Sequence, residues 1–275
     1  MRIVVKINNA IAGNDQFARK LANATASLLR DGHFVTIIAG DRAETSEGAC
    51  SRDADPVHSN GNHLNGTSAA PPASYIGAER RLLSSCLSHS GVPSLALCGT
   101  DAGICRLRRR SCQSNGAAFV IEVSSVDSAW IQLICANGGV PVISNLVVES
   151  SEAFHLADPD QMAALCAIGW NADALVYVTE SDGITDGSGT AIRWLDMDDI
   201  GSLEVLLDGS AIVAVLRGCR QALQGGVRRT RILPVSGIDA LPLFYFSRIE
   251  SGTEIVMAIE RRSVMAPRHS DKTQL

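Results

Sequence analysis

The chain has 275 residues, 46% of them hydrophobic and 4% aromatic, with a formal charge of −5 at neutral pH. That length suits one large domain or two lobes sharing a sheet, and the mild acidity gives no footing for a nucleic-acid partner. No apolar run approaches the roughly 18–20 residues that span a bilayer, and no charged leader with a cleavage site precedes Ile3-Val4-Val5, so a cytoplasmic protein is expected.

With so few aromatics, the core must rest on Val, Ile, Leu and Ala, as in a parallel sheet covered on both faces. Residues 3–7 form a β-branched run fit for a buried strand. Asn14-Asp15 then offers a helix cap, and Phe17, Leu21, Ala24 and Leu28 fall on one helical face. Asp31-Gly32 stops that helix, and residues 34–39 make a second strand, completing a βαβ unit. Residues 41–74 are rich in Ser, Asn, Gly, Ala and Pro, and 47–75 in particular read as a flexible loop, lid or disordered insertion.

A helix is predicted over 76–89, a strand over 94–98, a basic stretch "RLRRR" at 106–110 and a strand over 117–123. A helix over 126–136 ends at Gly138-Gly139, and 140–148 reads as one strand. Further on come a helix over 161–168, a strand over 175–179, helical patterning over 203–223 ended by Gly225-Gly226, and late strands near 231–235 and 254–258. Residues 263–275 read as a frayed tail. Strands alternating with helices mean an α/β fold.

The eight cysteines (50, 86, 98, 105, 112, 135, 166 and 219) form no CxxC pair. Cys98, Cys135 and Cys166 lie in apolar segments and read as buried, reduced thiols. His33, His58, His63, His89, His155 and His269 have no metal-ligand spacing, so no metal site is expected from protein side chains alone. A nucleophile-elbow Gly-x-Ser-x-Gly and a P-loop are both missing.

Several stretches, in order, resemble the amino acid kinase family, with acetylglutamate kinases and the carrier-linked aminoadipate or glutamate kinases as the nearest likeness. They are "VVKINNAIAG" (4–13), "GDRAETS" (40–46), "SLALCGTDAGI" (94–104), "AAFVIEVSSVD" (117–127), "GGVPVISNLVV" (138–148), "DPDQMAALCAIGWNADALVYVTESDGI" (158–184) and "SGTEIV" (251–256). The resemblance implies a three-layer αβα sandwich around an open, mostly parallel sheet. Residues 1–170 would bind the acceptor, and 171–262 the nucleotide. It also implies transfer of the ATP γ-phosphoryl group to a side-chain carboxylate, with Mg²⁺, giving an acyl phosphate. The acceptor would be a small N-blocked acidic amino acid of arginine or lysine biosynthesis. An acidic carrier protein is the partner in the carrier-linked branch, and a homodimer or larger homo-oligomer is the expected assembly.

Phosphoryl transfer asks for positioning and positive charge rather than covalent chemistry. Lys6 stands where the family places its first lysine, to cradle the β- and γ-phosphates; alone it would read as a strand-end lysine in solvent. Asn8 and Asn9 replace a phosphate-binding glycine pair, and asparagine tolerates the left-handed backbone such a turn requires. Gly40 keeps the second turn, but Asp41 puts a carboxylate beside the phosphates, repulsive unless Arg42 or Mg²⁺ neutralises it. Asp160 matches the organising aspartate, and Asp158 falls at a substrate-contacting position; both also suit a plain helix start around Pro159. Thr179, Glu180, Asp182 and Gly183 match the nucleotide loop, and equally describe a polar turn.

The second family lysine aligns with Val215. The chain holds three lysines, Lys6, Lys20 and Lys272, and neither of the other two is an obvious substitute. Arg217 and Arg220 lie on the same predicted helix, but a guanidinium is not an ammonium. The family's substrate-clamping arginine has no clear match in "NGTSAAPP" (65–72). Two readings stay open: a working carboxylate kinase, or a catalytically impaired pseudokinase that binds a metabolite or partner.

Overall fold

The β-branched run at the start of the chain becomes the centre of a sheet. The computed structural model describes residues 1–41, 78–111, 119–148, 154–186, 188–207, 210–242 and 251–257. The expectations for Arg42, for 47–75, for 65–72 and for the tail at 263–275 lie outside the described residues. Strand β1 (Arg2–Ile7) leads through a short helix α1 (Asn9–Ala12) into α2 (Asp15–Arg30), then β2 (Phe34–Ala39). Asn14 caps α2 by accepting from the Phe17 N–H, and Phe17, Leu21, Ala24 and Leu28 are buried, as their spacing predicts. Burying three large side chains on that face contributes about 1.5–3 kcal/mol each.

The chain continues through α3 (Ala78–His89), β3 (Ser94–Cys98), β4 (Cys105–Ser111), β5 (Phe119–Val126), α4 (Ala129–Ala136), β6 (Val140–Ser144), β7 (Leu146–Val148) and β8 (Phe154–Leu156). Then follow α5 (Pro159–Gly169), β9 (Ala174–Thr179), β10 (Trp194–Asp196), α6 (Ile200–Leu206), α7 (Ile212–Gln224), β11 (Arg229–Pro234) and β12 (Thr253–Val256). Eight strands form one sheet in the order β10-β12-β11-β9-β1-β2-β6-β3. Every pairing in it is parallel except β11 with β12. The fold is α/β, an open and mostly parallel sheet between helices.

The two layers follow from strand alternation. Ile3, Val5, Ile37, Val142 and Val176 pack with α2 and α3 residues in one core cluster. Val4, Ile38, Ile143, Leu175 and Tyr177 pack in the other with residues of α4, α5 and α7. Residues 1–170 supply one half of the sheet and residues beyond 171 the other, meeting where β1 pairs with β9.

Three local expectations are corrected, and one stretch gains an element. The basic stretch "RLRRR", given no element from the sequence, is most of β4, paired antiparallel with β5, with its arginines exposed. The stretch 140–148 is two strands, broken at Asn145. The patterning over 203–223 is likewise two helices, α6 and α7. Cys135 and Cys166 are buried as expected, but Cys98 is only half-buried, because β3 is an edge strand.

Candidate functional site

Parallel strands deliver their C-terminal ends to a single edge, and loops there form the crevice in which open α/β sheets bind ligands. Lys6 is one residue from the end of β1, on the sheet face that α5 covers. Asp160 sits in the first turn of α5, and its Oδ1 lies 2.9 Å from Lys6 Nζ. Both are almost fully buried, at 8% and 3% exposure. A buried ion pair is a poor stabiliser, since an apolar pair of similar volume does as well or better. Its presence at the ligand-binding edge therefore calls for a reason beyond stability.

Neighbouring residues hold this pair in place. Asp158 caps α5, accepting from the N–H groups of Asp160 and Gln161 at 2.9 and 3.0 Å, with Pro159 in the first turn. Tyr177, beside Lys6 in the β1–β9 register, donates its buried hydroxyl to the Asp160 main-chain oxygen at 2.9 Å. Burial pushes the Tyr177 phenol well up, so it remains a donor. Gly218 of α7 makes room for it: a Cβ there would stand 2.1 Å from the Tyr177 hydroxyl and 3.2 Å from the Asp160 oxygen. Val215, one turn earlier on α7, is buried in the same core.

The first turn differs from expectation. Asn8 has an extended backbone (φ −87°, ψ 168°) and its side chain accepts from the Ile11 N–H, so it caps α1, and Asn9 begins that helix. Neither asparagine uses left-handed backbone; together they form a capped helix start. The Asn9 N–H donates to Asp41 Oδ1 at 2.9 Å. Gly40 is required by close approach, because a Cβ there would lie 2.2 Å from Asn145 Oδ1. Asn145 Nδ2 donates to the main-chain oxygens of Asp41 and Ala157, at 2.9 and 2.7 Å.

Thr179 ends β9 and bonds to the Ser181 main-chain oxygen, while Glu180 and Asp182 are exposed. Gly183 has φ +100°, and a Cβ there would stand 2.7 Å from Thr253 Oγ1, which accepts from the Ile184 N–H. The loop is closed further on by Asp186, whose Oδ1 accepts from the Ser188 and Thr190 N–H groups and the Ser188 hydroxyl. Those bonds, the Ser188 hydroxyl first, lower the Asp186 pKa.

The structure thus joins Lys6 to Asp160 directly, and Asn9 to Gly40-Asp41 through the two strand ends. Thr179 and its loop follow the strand next to β1. Of the cations weighed as substitutes and described, Lys20 pairs with Asp239 on the surface, Arg220 pairs with Glu204 of α6, and Arg217 lies on the exposed side of α7. Among the described residues, no group of three or more His, Cys, Asp or Glu is arranged to hold a metal. Mg²⁺ in phosphoryl-transfer sites is held largely by substrate phosphates and one or two carboxylates.

Sequence reasoning missed Asn145, Tyr177, Gly218 and Asp186. Two left a signal: a glycine inside the α7 pattern marks a close approach, and "DGSGT" marks an Asx-type turn.

A profile of the amino acid kinase family matches residues 1–234. The acetylglutamate kinase of Koribacter versatilis is 31% identical over 263 residues, covering 94% of this chain and 100% of the relative. That of Acidobacterium capsulatum is 31% identical over 261 residues, covering 93% and 99%. Among solved structures, N-acetylglutamate synthase from Neisseria gonorrhoeae, complexed with coenzyme A and N-acetyl-glutamate, superposes with a TM-score of 0.70 at 21% identity. The match covers 93% of this chain but 59% of the synthase. A Giardia carbamate kinase superposes at 0.59 with 14% identity, covering 93% and 98%. These two likenesses speak to the fold.

Proposed function

Because the chain belongs to the amino acid kinase family, we propose that it is an ATP-dependent kinase of the acetylglutamate type. It transfers the γ-phosphoryl group to the side-chain carboxylate of an N-acylated acidic amino acid, in the setting of arginine biosynthesis. The observation that carries this reading is the buried Lys6–Asp160 pair at the C-terminal edge of the central strand.

In the reaction, an acceptor carboxylate oxygen forms a bond to the γ-phosphorus as the bond to the β-bridging oxygen breaks, leaving ADP and an acyl phosphate. Lys6 supplies positive charge to the transferring group, and Asp160 orients the Lys6 ammonium. Asp158 and Tyr177 hold the helix turn that carries Asp160. Thr179, Glu180, Asp182 and Gly183 border the nucleotide in the C-terminal half, and Asn8, Asn9 and Gly40 border its phosphates. Asp158 would also contact the acceptor. Mg²⁺, bound with the nucleotide, would neutralise phosphate charge, and the exposed carboxylates Glu180 and Asp182 suit that role. Missing the second lysine lowers the rate by about 10²–10³, the usual cost of one preorganised charge-stabilising donor.

Hydroxylamine trapping tests the proposal. With Mg²⁺-ATP and N-acetyl-L-glutamate, the wild-type protein should yield a hydroxamate that Lys6→Gln does not. Absence of hydroxamate at high enzyme concentration overturns the catalytic reading.

A second reading, a pseudokinase that binds without turnover, is favoured by Val215, which puts a buried apolar side chain at the second lysine's position. It predicts nucleotide or acylated amino acid binding with no hydroxamate. A carrier-linked acceptor has less support: Arg108 and Arg110 of β4 both turn to Glu122, leaving less free charge for an acidic carrier. A cytoplasmic homo-oligomer acting on a free small molecule completes the proposal.

A further inference from the structure

Asp41 is held at both ends. Its main-chain oxygen accepts from Asn145, whose amide is fixed in turn by Ala157, and its carboxylate accepts from the Asn9 N–H. Gly40 lets Asn145 come this close. The half-buried carboxylate is therefore a positioned charge at the junction of the β1 and β2 ends. Asn9 follows Lys6 by three residues, so one turn carries both the Lys6 ammonium and the donor that Asp41 occupies. Lys6 is already matched by Asp160 at 2.9 Å. Among the described residues, Asp41 and Asp160 against Lys6 leave this end of the crevice net negative. A phosphate chain asks for the opposite: available N–H donors and net positive charge.

We propose that Asp41 is a specificity-determining residue of this crevice, an internal anion that occupies the first-turn donor and weakens binding of phosphate chains, triphosphate more than diphosphate. The order follows from charge, since the terminal phosphoryl group adds negative charge at the Lys6 end. The inference rests on the reading that the crevice takes a nucleotide.

Calorimetry on the full chain tests it, with Mg²⁺-ATP and Mg²⁺-ADP titrated into wild type, Asp41→Ala and Asp41→Asn. Asp41→Ala should tighten Mg²⁺-ATP by about tenfold or more and Mg²⁺-ADP by less. Asp41→Asn should fall between, because its amide oxygen still accepts the Asn9 N–H but carries no charge. Without nucleotide, exchange of the Asn9 amide hydrogen should accelerate in Asp41→Ala. If Asp41→Ala fails to fold, the isosteric Asp41→Asn decides the sign. Unchanged affinity in both variants, alongside loss of binding in Lys6→Gln, overturns the role of Asp41 and leaves the nucleotide reading standing. Weaker Mg²⁺-ATP binding in the variants also overturns it, and makes Asp41 a cation ligand. No nucleotide binding by any of the proteins overturns both.

Discussion

At the scale of single residues, the account turns on Lys6 and Asp160. Removing one member leaves the other buried without its charge partner, which costs about 3–5 kcal/mol. Lys6→Ala is thus expected to lower stability by that order in urea unfolding, whereas Lys6→Gln, able to hydrogen-bond Asp160, loses less. Gly218 gives a sharper test. Its missing Cβ is the space of the Tyr177 hydroxyl, so Gly218→Ala should cost about 1–3 kcal/mol by overpacking. Most of that loss should disappear when Tyr177→Phe is combined with it, and strictly additive losses would contradict the contact. Lys6 and Asp160 were legible because a strand-end lysine and a helix-start aspartate stand in recognisable local patterns. Tyr177 was not, because its partner is 17 positions away and a tyrosine in an apolar strand looks like any core residue. The conformation of Asn8 and Asn9 was not legible: the side chain of Asn8 satisfies an N–H at a helix start, which is what asparagine does best.

At the scale of elements, buried faces were readable where periodicity is long and regular. In α2 the cap and the apolar stripe agree, and Asn14→Ala should cost about 1 kcal/mol in thermal or urea unfolding. Breaks were harder to see. Asn145 interrupts the run 140–148 so that its amide can tie Asp41 to Ala157, and nothing within nine apolar-rich residues announces a demand that arises 104 positions away. The divide between α6 and α7 was hidden in the same way: the residues on either side suit a helix, and Glu204 and Arg220 pair across the two once the chain has turned. The strand at 106–110 was not legible because charge hides its alternation, with Leu107 packed inward while Arg106, Arg108 and Arg110 face solvent.

At the scale of the whole molecule, composition foretold the parallel sheet, and the chain's two halves contribute adjacent blocks of strands to it. The core also carries thiols in quantity. Burial pushes Cys135 up to about 11 and Cys105 and Cys219 up to about 12, and raises Cys166 in the same direction. In the unfolded chain these thiols ionise near 9, whereas in the folded protein they keep their protons. The unfolded state therefore binds fewer protons above that value, and stability falls as pH rises through it, with no such loss below. The urea midpoint should drop steeply between about pH 9 and about pH 11, and less steeply in Cys105→Ala. A midpoint independent of pH in that window would contradict the buried, reduced core. The central claim, that the Lys6–Asp160 pair is retained to meet a nucleotide, is tested most directly by calorimetry of Mg²⁺-ATP binding to wild type and Lys6→Gln. The account predicts saturable binding to wild type that weakens by about tenfold or more when the ammonium is removed. Equal affinity in the two proteins, or no saturable binding to wild type at millimolar nucleotide, would contradict it.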